Sequence, residues 1–124
     1  MATVLVIDDS VEMRDLLQEM LKALGHEARE AAGGAQGLAS YRDAPADVVL
    51  LDMFMPDKDG LETLRELRQL DSHARVIAMT GGGSYHNVGI LKPASLLGAG
   101  KLLFKPVTMD ELRKAIEEVL AGLG

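Results

Sequence analysis

The sequence predicts an α/β fold, a doubly wound five-stranded parallel sheet with helices on both faces. Three observations predict it. Short apolar, β-branched runs alternate with amphipathic stretches five times along the 124 residues. The apolar runs are nearly continuous rather than alternating, which marks strands covered on both sides. Hydrophobic residues make up 48% of the chain, enough for one core at this length. Aromatic residues are only 3%, so that core must be packed from Leu, Val, Ile, Ala and Met.

Thr3 to Ile7 reads as the first buried strand. Asp8, Asp9 and Ser10 then open a helix whose inward positions are Met13, Leu16, Leu17, Met20, Leu21 and Leu24. Gly25 is its stop. His26 to Ala31 mixes small and charged residues, as expected of a strand near a sheet edge. Gly33-Gly34 makes a turn. Ala35 to Arg42 is a short helix with Leu38 and Tyr41 inward, closed by Pro45. Val48 to Leu51 is a strongly apolar strand that runs straight into Asp52, which it should push out at its carboxyl end. A turn follows at Pro56, Asp57, Asp59 and Gly60.

Gly60 to Leu70 reads as a helix with Leu61, Leu64, Leu67 and Leu70 on one face. Ala74 to Met79 is a strand ending at Thr80, and Gly81-Gly82-Gly83-Ser84 is a loop. Ile90, Leu91, Leu96 and Leu97 suggest a fourth helix, with Pro93 confined to its first turn or a kink. Lys101 to Phe104 is the last strand. Thr108-Met109-Asp110-Glu111 is a capping box. It starts a final helix with Leu112, Ala115, Ile116, Val119 and Leu120 inward. No repeat, linker or low-complexity segment interrupts the pattern, so residues 1–124 are expected to be one domain.

Composition excludes several functions. The net charge is −6, with no basic patch and no aromatic platform, so a nucleic-acid partner is not expected. The absence of cysteine excludes disulfides, thiol catalysis and zinc-thiolate sites. It is compatible with a cytoplasmic location. No run of about 18 apolar residues exists, so no transmembrane helix is expected. The first strand ends too early, at Asp8-Asp9, for a signal peptide. His26, His73 and His86 show no ligand spacing and are read as surface residues.

In parallel sheets of this kind ligands bind beyond the carboxyl ends of the strands. There this chain places Asp8 and Asp9, Asp52, Thr80 and Lys105. Each alone has a plainer explanation: a helix cap, a turn, a solvated lysine. Three carboxylates, a hydroxyl and an ammonium at one edge are hard to obtain from turn chemistry. Clustered carboxylates repel one another and need a cation. Oxygen donors without His or Cys select a hard ion, Mg²⁺ or Mn²⁺. A carboxylate can also attack phosphorus and form an acyl phosphate. Phosphoryl transfer then needs positioning and neutralised equatorial oxygens. The cation, Lys105, and the Thr80 hydroxyl with a nearby backbone N–H could supply those contacts.

Asp8-Asp9, Asp52, Met55-Pro56-x-x-x-Gly60, Thr80-Gly81 and Lys105-Pro106 together resemble the receiver domain of two-component response regulators, over essentially the whole chain. The resemblance implies a flavodoxin-like sheet with strand order 2-1-3-4-5. It implies that Asp52 accepts a phosphoryl group from a histidine kinase or a histidine phosphotransfer protein. Asp9 and Asp52 would bind Mg²⁺ directly and Asp8 through water, with the Phe54 carbonyl as a further ligand. Thr80, the Gly81 N–H and Lys105 would hold the phosphoryl group, and the Lys105-Pro106 bond would be cis. The readout surface would be the fourth helix, fifth strand and fifth helix, facing an unidentified downstream protein.

Three departures from the family pattern stand out. Leu102 occupies the place of the usual switch aromatic, and Phe104 is expected on the opposite face of the strand. The span from Thr80 to Lys105 is longer than usual. Phe54 stands where a polar side chain often positions the hydrolytic water, so slow loss of the phosphoryl group is expected. The chain is expected to be no enzyme beyond its own phosphorylation and dephosphorylation, and to be a monomer or a phosphorylation-dependent dimer. No DNA-binding or enzymatic output domain is read in the sequence up to Gly124. The chain is therefore expected to be either a stand-alone regulator acting by protein contact or a domain excised from something longer. Three alternatives are a docking module of receiver ancestry, an aspartyl-phosphate hydrolase and a flavodoxin-like nucleotide carrier. The hydrolase would want an acid at the Phe54 position, and the carrier a Gly-rich loop where Asp8-Asp9 stands.

Overall fold

The computed structural model describes residues 1–55, 60–81 and 100–122. Nine elements lie in these segments: β1 (Thr3–Ile7), α1 (Val11–Ala23), β2 (Glu27–Ala31), α2 (Gly34–Asp43), β3 (Val48–Asp52), α3 (Gly60–Leu70), β4 (Val76–Thr80), β5 (Lys101–Phe104) and α4 (Met109–Leu120). The fourth helix expected near Ile90–Leu97 falls outside the described residues, as do Pro56, Asp57 and Asp59. All strand pairs are parallel, in the order β2-β1-β3-β4-β5.

Continuous apolarity in β1, β3 and β4 fits their central places. A strand with neighbours on both sides and helices above and below has no wet face. Every residue of β3 and β4 is buried. Alternate residues feed two cores. Leu5, Ile7, Val49, Leu51, Val76 and Ala78 pack with Leu38, Tyr41, Leu64 and Leu67 of α2 and α3. Val4, Val6, Val48, Leu50, Ile77 and Met79 pack with Leu17, Leu21, Leu112 and Ile116 of α1 and α4. β2 is an edge strand, which explains its mixed sequence.

The helix ends follow local chemistry. The Ser10 side chain accepts from the Met13 N–H and caps α1. Gly25, at φ 87°, takes the left-handed conformation after it. Thr108 and Glu111 form the full reciprocal capping box of α4.

Several expectations need correction. Leu16, Leu70 and Leu120 are exposed rather than inward, because the sheet covers a narrower stripe of each helix than the apolar pattern suggests. Asp52 is not pushed out, since it is the last residue of β3 and is 3% exposed. His26 is not a plain surface residue, as its Nδ1 accepts the Ala2 N–H at 3.0 Å. Phe104 does not lie opposite Leu102. Two residues apart on one strand, they share a face, and the register sets Leu102 beside Ala78 and Phe104 beside Thr80.

Candidate functional site

The carboxyl ends of β1, β3, β4 and β5 bring Asp8, Asp52, Thr80 and Lys105 to one edge. The sheet register explains why. Asp52 pairs with Met79 and Thr80 with Phe104, so successive strands end at one level. The Lys105 N–H donates to the Thr80 carbonyl at 2.7 Å and carries the chain one step past β5. The Lys105–Pro106 peptide bond is cis.

Asp8 is wholly buried and bonded on every side. Its N–H donates to Ala31 O at 3.1 Å, and its Oδ1 accepts the Ser10 N–H at 2.9 Å. Its Oδ2 receives Lys105 Nζ at 2.7 Å, and its carbonyl accepts Arg14 Nη1 at 2.6 Å. Asp52 uses the same local device, with Oδ1 accepting the Phe54 N–H at 3.1 Å. Its Oδ2 is 3.6 Å from Lys105 Nζ, so the ammonium leans towards Asp8. Asp9 is exposed. Carboxylate oxygens of Asp8, Asp9 and Asp52 lie within 4.8 Å of one another.

Burial pushes the Asp52 carboxyl up from 3.8 to about 6. The Phe54 N–H and Lys105 pull it back, while Asp8 and Asp9 push it further up. Among the described residues one ammonium thus faces three carboxylates. Thr80 Oγ1 is buried and has no hydrogen-bond partner among the described residues, which is costly for a hydroxyl. An all-oxygen donor set, a surplus of negative charge and an idle hydroxyl beside it fit a hard divalent cation together with an anionic ligand.

α3 closes in beneath this edge. A Cβ on Gly60 would collide with Met53 Cα and come within 2.7 Å of the Asp52 carbonyl oxygen. The Gly60 N–H instead donates to Met53 O at 3.3 Å. Only glycine lets the helix start so near the acidic strand end. Phe54 is partly buried against the α2–α3 core, and so is Leu102. Sequence reading did not single out Arg14 or Glu30, although Arg14 reaches both the Asp8 carbonyl and, through Nε, Glu30 Oε1 at 3.1 Å. No spacing rule links these three positions, which meet only through the β1–β2 pairing.

A doubly wound sheet in this order, with a carboxylate cluster, a hydroxyl and a lysine on its carboxyl edge, is the architecture of a signalling receiver. The family model for the response regulator receiver domain matches residues 4–117, and the chain belongs to that family. It is 35% identical to sporulation initiation phosphotransferase F of Bacillus subtilis, over 94% of this chain and 92% of that protein. It is 32% identical to the chemotaxis protein CheY of the same organism, over 94% and 96%. Among solved structures, a response regulator receiver domain protein from Clostridium thermocellum superposes with a TM-score of 0.88 at 33% identity. That match covers 98% of this chain and 96% of the other. Receiver domains take phosphoryl groups from histidine kinases or phosphotransfer proteins and act on downstream partners. No helix among the described residues is long and apolar enough to cross a membrane.

Proposed function

We propose that Asp52 is the phosphoryl acceptor of this receiver and that a phosphohistidine of a kinase or phosphotransfer protein is the donor. The observation that carries this reading is the juxtaposition at one sheet edge. A buried carboxylate stands with two further acids, a lysine 3.6 Å away and a buried hydroxyl without a partner among the described residues. An Asp52 carboxylate oxygen attacks phosphorus, the P–N bond to the donor imidazole breaks, and the imidazole leaves with a proton.

Asp9, Asp52 and the Phe54 carbonyl would hold Mg²⁺ (or Mn²⁺) directly, and Asp8 through water. Bound there, the ion neutralises phosphoryl oxygens. Lys105 pairs with another oxygen, and the Thr80 hydroxyl and Gly81 N–H take the last. The acyl phosphate carries about −1.5 to −2 charges in place of the single charge of the carboxylate. Thr80 and Lys105 can shift the conformational equilibrium only by the contacts they gain with it. We assign the domain no turnover of a separate substrate. A cytoplasmic location, an unidentified protein reader and a monomer or phosphorylation-dependent dimer belong to the same proposal.

Incubation with Mg²⁺ and a small-molecule phosphodonor, followed by intact mass, tests it. One phosphate adduct is expected on the wild type, and none on Asp52→Asn or in excess chelator. An adduct that persists on Asp52→Asn sinks the assignment. A wild type that stays unmodified, even with a protein donor, would point to a docking module instead. A second expectation concerns the lifetime of the adduct. Phe54→Asn puts a polar group two residues after the acceptor and should shorten the phosphoryl half-life severalfold, followed by mass against time. An unchanged half-life would free Phe54 of that role.

A further inference from the structure

Asp9 is the weak point of the acidic cluster. It is exposed, and among the described residues its side chain has no hydrogen bond or ion pair. Its placement therefore depends on the backbone beneath it. The peptide that joins Asp8 to Asp9 is held through its carbonyl by Arg14 Nη1 at 2.6 Å. Arg14 is itself tied down. Its side chain is 14% exposed, and its Nε donates to Glu30 Oε1 at 3.1 Å, on the penultimate residue of β2. One guanidinium thus bolts the β1–α1 corner to the edge strand. A planar fork with two engaged donors fixes direction as well as distance.

We propose that Arg14, tethered by Glu30, is a positioning residue for the cation site: it orients the Asp8–Asp9 peptide and so sets the place of the Asp9 carboxylate. This rests on the reading of Asp8, Asp9 and Asp52 as a divalent-cation site. Positioning and plain electrostatics predict opposite signs. Loss of a positive charge beside three carboxylates should tighten cation binding by Coulomb attraction alone. Loss of a positioning contact should weaken it, and outer contacts of metal ligands are typically worth about 10–100-fold in affinity.

The test is titration of the full chain with Mn²⁺ alone, reading the paramagnetic resonance of the free ion. Arg14→Gln is expected to bind Mn²⁺ about 10-fold more weakly than wild type. Arg14→Lys keeps the charge but cannot grip both partners, so it should recover only part of the loss. Because it leaves the charge in place, Arg14→Lys also tests the tether if Arg14→Gln folds poorly. Glu30→Gln should weaken binding less than Arg14→Gln, and the double variant should be no weaker than Arg14→Gln, because both changes release one clamp. Arg113→Gln removes the same charge from the α4 surface, where Arg113 pairs with Asp110 and Glu117, and should leave affinity unchanged. Equal or tighter binding by Arg14→Gln, or by Arg14→Lys where Arg14→Gln does not fold, overturns the proposal and leaves the cation site standing. A wild type that takes up no Mn²⁺ overturns both.

Discussion

Lys105→Met is expected to lose about 3 kcal/mol of stability in a chelator at neutral pH, and to recover most of it when Mg²⁺ is added. The reason is the position of Asp8. Its carboxylate is wholly buried, and its one ionic partner among the described residues is Lys105 Nζ at 2.7 Å. Removing one member of a buried pair leaves a charge without compensation, which typically costs about 3–5 kcal/mol. The lysine side chain is 19% exposed, which favours the low end of that range. A divalent cation at the same carboxylates would replace the missing charge. It would also bind the variant without having to compete with the ammonium. Urea unfolding with and without Mg²⁺ reads both effects, and the metal-dependent gain should be larger for the variant than for the wild type. A variant as stable as wild type in chelator would show that the pair carries little of the fold.

Asp52→Asn should have the reverse sign. The folded carboxyl titrates near 6 and the unfolded one near 3.8, so between these values the folded state holds the proton more tightly. By linkage the group's contribution to stability is complete below about pH 3.8 and is lost as pH rises through about 6. At about 1.36 kcal/mol per unit the loss is at most roughly 3 kcal/mol above that range. The amide does not ionise and escapes it. In chelator the variant should therefore match wild type near about pH 4 and exceed it by about 1–3 kcal/mol at neutral pH. Mg²⁺ should shrink the difference. Denaturant midpoints across this pH range decide it, and a constant difference between the two proteins would remove burial of charge as the cause.

Much of the fold was legible because buried parallel strands announce themselves. Val48–Leu51 and Val76–Met79 have no polar residue that could mark a wet face. Their ends, together with Asp8 and Lys105, place the site. What could not be read is lateral. Leu16, Leu70 and Leu120 continue an apolar repeat past the width of the sheet beneath them, and periodicity does not measure that width. The preference of Lys105 for Asp8 over Asp52 depends on where strand ends stop, to within an ångström. The Arg14–Glu30 contact joins α1 to β2 across the pairing of two strands, which no local pattern encodes. Phe104 was misplaced for a different reason, since the period of two already puts it on the same side as Leu102. With half its area exposed, at 49%, it stands beside Thr80 in register.

The twin turns at Asp8 and Asp52 have a practical consequence for choosing isosteric substitutions. In both residues one carboxylate oxygen is committed to a backbone N–H two residues on, so the two oxygens are not interchangeable. An asparagine can keep that acceptor with its own carbonyl oxygen and must then turn its amide nitrogen to the other side. At position 52 that nitrogen would face the ammonium across what is now a 3.6 Å separation, beyond hydrogen-bond distance, and no hydrogen bond is lost. At position 8 it would meet Lys105 donor to donor at what is now a 2.7 Å contact. Asp8→Asn is thus no mirror image of Asp52→Asn. Of the two isosteres, only the one at position 52 is a fair blank for chemistry at this edge.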